Sequence, residues 1–371
     1  RSVRPAGGGG AAAASGEAVP IAREEYLARI GRAQRLMAEH GLAAVLIEPG
    51  ASMTYFTGVQ WWRSERLTAA ILPREGEACI VTPHFEEPSV RESLKIPAEV
   101  RVWNEHEDPS RTVAGFLRDR RLTGPVGIEE TVRFFAVDGL RNAMSGFEIR
   151  PGAPVVRGCR MIKSPAEIAL MQRAADITMA AYRYTIPRIE AGMRPGDIGA
   201  LMSRATSTLG GNPEFNLILL GEASAYPHGS GKPQTVKPGE VVLMDCGCTV
   251  RGYQSDISRT IVFGEPTAKQ RQVWSHVQKG QQIAFEAAKL GAAAGSVDAR
   301  ICPSTAKAMS LSVARLNCAA RSLSRRNPTV RLPMMSGRSS PAVAIVIGRA
   351  ITWSMPSACG RQLVVMCQVQ T

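Results

Sequence analysis

Between residues 24 and 40, apolar side chains fall at Tyr26, Ile30, Ala33 and Met37, a spacing that lines one face of a helix. Gly41 follows where a helix-terminating glycine belongs. The run Leu42-Ala43-Ala44-Val45-Leu46-Ile47 then reads as a short buried strand, closed by Pro49-Gly50. Two further strand-like runs, 68–72 and 78–82, are separated by the polar stretch 73–77. A helix around 111–119 and a strand at 125–128 continue the alternation. The pattern predicts an α/β domain over residues 23–157 with a mostly covered sheet.

A second unit is expected over residues 158–300. Ser164-Pro165-Ala166-Glu167 is a capping box with proline at the first helical position. Ile168, Met171, Ala175, Met179 and Tyr182 then predict one long apolar helix face. Another helix is expected over 197–209, ended by Gly210-Gly211, and a strand over 216–220. Pro238-Gly239 turns the chain into the strand 241–245, and 256–263 reads as its return strand. Thr267-Ala268-Lys269-Gln270 is a second capping box, opening a helix toward Lys289.

Composition changes this picture at the ends. The chain has 371 residues, 44% hydrophobic and 21% charged, as expected of a globular chain of two domains and not of a disordered or collagen-like one. Its apolar runs are too short for a membrane span. Residues 1–22, rich in Gly and Ala, read as a flexible leader, either the start of a cytoplasmic protein or the remnant of a processed export signal. The net charge of +13 is concentrated in the tail, where residues 291–371 hold ten Lys and Arg against the single acid Asp298. The tail offers no aromatic interleaving and no nucleic-acid module, so a nucleic-acid role is not expected. The eight cysteines are too sparse for a disulfide framework and point to a reducing compartment. Cys246 and Cys248 read as small buried strand residues. Trp61-Trp62 reads as packed aromatics, with a pocket wall as the alternative. Gly229-Ser230-Gly231-Lys232 is similar to a phosphate loop, but Pro233 stands where Ser or Thr is required.

The chemistry is concentrated in 241–263. A hairpin with its tip near Val250-Arg251 would set Asp245 opposite Asp256, with Cβ atoms about 5 Å apart. Like charges so placed need a shared proton, access to water or a cation between them. Spacing alone leaves open whether the pair is an oxygen-rich metal site or two turn residues beside bulges at Gly247 and Gly252.

Leu243-Met244-Asp245-Cys246-Gly247, followed by Gly252-Tyr253-Gln254-Ser255-Asp256-Ile257-Ser258-Arg259-Thr260, resembles the central motif of the pita-bread metallopeptidases. These include Xaa-Pro dipeptidases, Xaa-Pro aminopeptidases and creatinases. Arg160-Met161-Ile162-Lys163-Ser164, Pro227-His228-Gly229 and Met53-Thr54-Tyr55-Phe56-Thr57-Gly58 are similar to three further family segments, in order. The resemblance implies an α+β chain: a creatinase-type N-terminal domain, then a pita-bread catalytic domain that is incomplete here. It implies hydrolysis of short proline-containing peptides before proline, a homodimer, and two divalent ions (Mn²⁺ or Co²⁺, with Zn²⁺ as a further option). Those ions would polarise the scissile carbonyl and supply the nucleophile. By the same resemblance Asp245 binds one ion, Asp256 bridges both, and His228 orients the substrate as a catalytic residue.

The family's remaining ligands, one His and two Glu, should follow Asp256. His276 and Glu286 lie in the helix opened by Thr267, too early for that role, and residues 301–371 contain neither His nor Glu. With two of five ligands the chain is expected to bind metal weakly and to be inactive. The alternatives are a non-catalytic pita-bread binding protein and a creatinase-like hydrolase of a small amide or amidine. The break in composition predicts that residues from about Asp298 are an off-frame reading, against a genuine basic tail. The missing strands would then leave a sheet edge uncovered.

Overall fold

A computed structural model describes residues 18–144, 146–226, 228–297, 300 and 365–368. The leader and nearly all of the basic tail, with the proposed frame break at Asp298, lie outside the described residues. Two compact units divide between Ala169 and Leu170, after the junction that the sequence placed at 158. Among the described residues no helix is long and apolar enough to cross a membrane.

The first unit begins with α1 (Arg23–Glu39), β1 (Ala44–Ile47), α2 (Ala51–Thr57), β2 (Ala69–Pro73) and β3 (Ala78–Pro83). It continues with α3 (Glu87–Ser93), β4 (Ala98–Trp103), α4 (Pro109–Asp119), β5 (Val126–Ile128), α5 (Phe134–Ala143), β6 (Ile149–Pro151) and α6 (Ala153–Arg160). The six strands form one mixed sheet in the order β4-β3-β2-β1-β5-β6. Successive side chains of a strand point to opposite faces, and here both faces are covered. Val45, Ile47, Ala70, Leu72 and Ile80 pack with Ala33, Met37, Met53, Phe56 and Val155. Ala44, Leu46, Ile71, Cys79 and Val81 pack with Val113, Phe116, Leu117 and Leu140 on the other side. Double coverage explains why β1 to β3 read as continuous apolar runs.

The segment Met53 to Gly58 is a structural joint of this unit. It forms most of α2, with Met53 and Phe56 fully buried and Gly58 ending the helix at φ +80°. The Tyr55 hydroxyl donates to the Cys159 carbonyl at 3.0 Å, and Arg29 Nη1 donates to the Tyr55 carbonyl at 2.9 Å. Burial pushes the Tyr55 phenol up to about 12. Trp61 and Trp62 stack with ring centroids 5.0 Å apart; Trp61 packs on the core and Trp62 is exposed.

The second unit holds most of α7 (Pro165–Thr185), then α8 (Pro195–Thr208), β7 (Asn212–Leu220), β8 (Val241–Val250), β9 (Tyr253–Gln254), β10 (Ile257–Val262), α9 (Ala268–Ala287) and β11 (Val365–Gln368). Both capping boxes are formed: Ser164 exchanges bonds with Glu167, and Thr267 with Gln270. The sheet runs β11-β10-β8-β7, with β9 on β8, all antiparallel. The edge of β10 is therefore paired by β11, not left open. Met244, Cys246, Ile218 and Ile261 face a core built with Ile198, Met202, Ala181 and Tyr182.

The buried stripe of α7 is displaced from the expected one. Leu170, Ala174, Ile177, Ala181 and Tyr182 are buried, whereas Ile168, Met171, Ala175 and Met179 are only half-buried. Thr178 and Thr185 share the buried stripe, and a reading that counts apolar residues alone passes over them.

Candidate metal centre

The hairpin that carries the two aspartates turns at Arg251-Gly252, both with positive φ, +52° and +82°. That is the signature of a two-residue type I′ turn, whose twist matches the flanking strands. It puts the tip one residue later than expected and changes the partners. Thr249 pairs with Gln254, and Asp245 faces Ser258, not Asp256. Asp256 falls on the diagonal from Asp245 on the same face, just before β10, still within reach of a neighbouring side chain. The register shift lies in β7, between Pro213 and Phe215 and opposite Cys248 and Gly247, while the hairpin arms keep one register past Gly247 and Gly252.

The diagonal still brings the carboxyls together. Asp245 is buried, and the Ser258 hydroxyl donates to its Oδ1 at 2.7 Å. The Asp256 carboxyl is held above the ordinary aspartate value by desolvation, then by the Asp245 charge and a hydrogen bond between the two side chains. Two carboxylates in this arrangement favour a proton or a cation between them. As hard oxygen donors they fit an oxygen-preferring divalent ion and supply part of its coordination shell. Among the described residues no group of three or more His, Cys, Asp or Glu could complete it. His276 and Glu286 lie on α9, as expected, and the Glu286 carboxylate accepts from Gln282.

Residues to which the sequence reading gave no role at the site, Phe215 and Thr178 among them, shape the ground beneath the pair. A Cβ on Gly247 would lie 2.2 Å from the Ser255 carbonyl oxygen and 2.5 Å from the Phe215 ring, so only glycine permits this approach of the two arms. Ser255 N–H donates to the Cys248 carbonyl at 2.9 Å, and Cys248 N–H donates to the Ser255 hydroxyl at 3.0 Å. Below them, α7 contributes two hydroxyls. Thr178 Oγ1 lies 2.8 Å from Ser255 Oγ. The Tyr182 hydroxyl is shared between the carbonyls of Met244, at 2.9 Å, and Ile257, at 2.6 Å. Burial pushes the Tyr182 phenol well above its usual value and the Cys246 thiol up to about 12. Cys246 and Cys248 are buried free thiols, as expected of small strand residues.

His228 lies beside β7. It is exposed and lines an open cleft of about 930 Å³ with Arg194, Lys232, Gln234 and, from that strand, Leu217, Ile218 and Leu219. Leu217 pairs with Asp245 in register, one strand away, but neither aspartate lines this cleft.

The second unit thus packs α7 and α8 on one face of an antiparallel sheet and carries the two carboxyls on one hairpin of that sheet. Comparison with known proteins supplies the class. Residues 169–318 match the model of metallopeptidase family M24, and residues 29–162 match that of the creatinase/prolidase N-terminal domain. The first of these runs past residue 300, where resemblance was expected to stop. The chain is 33% identical over 288 residues to an uncharacterized peptidase of Schizosaccharomyces pombe, covering 73% of this chain and 62% of that one. It is 28% identical to the Xaa-Pro dipeptidase of Pyrococcus furiosus, covering 73% and 74% of the two chains. Among solved structures, the dipeptidase PepE of Mycobacterium ulcerans superposes with a TM-score of 0.69 at 26% identity, over 78% of each chain. The prolidase of Thermococcus sibiricus gives 0.70 at 25% identity, over 76% and 77%. The chain belongs to metallopeptidase family M24, with a creatinase/prolidase-type N-terminal domain.

Proposed function

We propose that this protein is a metal-dependent peptidase acting on dipeptides of Xaa-Pro type, and that residues 1–371 by themselves bind metal weakly and turn over slowly. The reading rests on the coupling of Asp256 to Asp245 on the family hairpin. Asp245, fixed by Ser258, and Asp256 would hold the ion. When bound, such an ion supplies Lewis-acid polarisation of the scissile carbonyl and a water of lowered pKa. His228, exposed in a cleft with two basic side chains, Arg194 and Lys232, would contact the peptide. A homodimer belongs to the same proposal, to be checked by sedimentation.

A second reading, a non-catalytic binding protein, is favoured by the donor set, because the described residues place two carboxylates and no third ligand together. One experiment addresses both. Purified chain is incubated with excess Mn²⁺, its bound metal is measured, and hydrolysis of a Xaa-Pro dipeptide is followed beside Asp256→Ala. Weak Mn²⁺ binding that Asp256→Ala abolishes, with slow turnover, supports the proposal. Binding with turnover at background supports the second reading. Robust turnover that disappears in Asp256→Ala would reveal ligands beyond these two. Unchanged Mn²⁺ binding in Asp256→Ala would remove the aspartates from the site.

A further inference from the structure

Between the ladder pairs at Gln254 and Ile257, the return arm of the hairpin belongs to no strand, and Asp256 lies in that gap. Its position is therefore not fixed by a regular ladder. Across the hairpin the gap keeps the bonds between Ser255 and Cys248; it is braced from below by two residues four apart on α7, which share one face of the helix. Thr178 reaches Ser255, the residue before Asp256. Tyr182 reaches the carbonyl of Ile257, the residue after Asp256, and the carbonyl of Met244, the residue before Asp245. Both side chains are almost fully buried, at 1% exposure each. One phenol thus ties together the two strands at the point where each presents its carboxylate.

We infer that Thr178 and Tyr182 are positioning residues that set the separation of the Asp245 and Asp256 carboxylates, and through it the size of cation the pair prefers. The inference rests on the metal-holding role proposed above for the two aspartates. A ligand pair held at one separation discriminates between ions of different radius, whereas a loose pair adapts to each. Removing the Tyr182 hydroxyl leaves the ring and its packing in place but takes away a side-chain bridge between the two arms at the gap, where their ladder is interrupted between Gln254 and Ile257. Removing the Thr178 hydroxyl, with a methyl in its place, takes the brace from α7 off Ser255 and leaves it only its bonds to Cys248.

The test is the Mn²⁺ affinity of the full chain, read from the electron paramagnetic resonance of free Mn²⁺, and its ratio to the Ca²⁺ affinity obtained by competition. Tyr182→Phe is expected to weaken Mn²⁺ binding by about tenfold, as loss of a group that orients a metal ligand commonly does. It should also lower the Mn²⁺-to-Ca²⁺ ratio, because the larger ion suits a site that has lost its fixed span. Thr178→Val should shift both in the same direction, and it carries the test if Tyr182→Phe does not fold. Equal weakening of both ions, with the ratio unchanged, would mark a purely structural role and overturn the inference. So would wild-type affinity in both variants while Asp256→Ala loses binding, which leaves the metal reading intact. Wild-type Mn²⁺ binding in Asp256→Ala would sink the metal reading and this inference with it.

Discussion

Gly247→Ala is the sharpest perturbation of the hairpin, because the contact it creates is defined on both sides. The new methyl would lie 2.2 Å from the Ser255 carbonyl oxygen, 2.5 Å from Cε1 of Phe215 and 3.0 Å from its Cζ. An ordinary contact needs about 1 Å more, and the nearest atom is backbone, which cannot swing aside as a flexible side chain would. Overpacking of this kind costs about 1–3 kcal/mol. Alanine recovers about 0.4–1 kcal/mol by restricting the unfolded chain. The net is a loss of up to about 2.6 kcal/mol, centred on about 1.3 kcal/mol, with the displacement falling on Ser255 and so on Asp256 next to it. Urea denaturation of metal-free protein should show a lower midpoint for Gly247→Ala at an unchanged slope. Mn²⁺ affinity should fall with it, because one of the two carboxylates has moved. A variant as stable as wild type, or more stable, would refute the close approach of the two arms.

Three further outcomes are expected. Ser258→Ala should cost about 1.5–3 kcal/mol, the range for a hydrogen bond to a charged group, since it removes a donor 2.7 Å from the buried Asp245; a change below about 0.5 kcal/mol in urea denaturation would contradict it. Because the Asp256 carboxyl is held above its unfolded value, the native state keeps this proton longer than the unfolded chain does, and metal-free protein should lose stability as pH rises from about 4 through the folded value. Asp256→Asn should remove that component, and identical pH profiles of the urea midpoint in the two proteins would argue against the coupling. Finally, because the family match runs to residue 318, any frame break is expected after that match and not at Asp298; if the remaining tail is read out of frame, one of the other two frames of the coding DNA should yield a His-Gly segment followed by two Glu-bearing strands, and if neither does, the basic tail belongs to the protein.

Much of the framework was legible because it is encoded locally. The capping boxes at Ser164 and Thr267 start α7 and α9 through bonds made within four residues, so short sequence windows contain the whole cause. The apolar runs of β1, β2 and β3 declare strands covered on both faces, whichever helices do the covering. Short elements such as α2 and α6 were not legible. Helices of seven and eight residues are marginal in isolation and owe their stability to burial against a sheet that periodicity does not show. β4 escaped for another reason: its half-buried edge alternates Glu99 and Arg101 with Val100 and Val102 and carries no continuous apolar run.

At the site the division is finer. The sequence by itself placed Asp245 and Asp256 on the two arms of one hairpin, because turn residues and strand residues alternate there in plain order. It could not set their register. That depends on whether Arg251 takes a left-handed conformation beside Gly252, and the resulting shift of two places makes Ser258, not Asp256, the partner of Asp245. Nor could it show that Thr178 and Tyr182 hold the arms, since a threonine and a tyrosine on a helix reveal nothing of the carbonyls and hydroxyl they will meet 62–77 residues later. Local chemistry selects the elements and names the acids. The distance between two carboxylates is a property of packing between a helix and a sheet, and only the tertiary structure determines it.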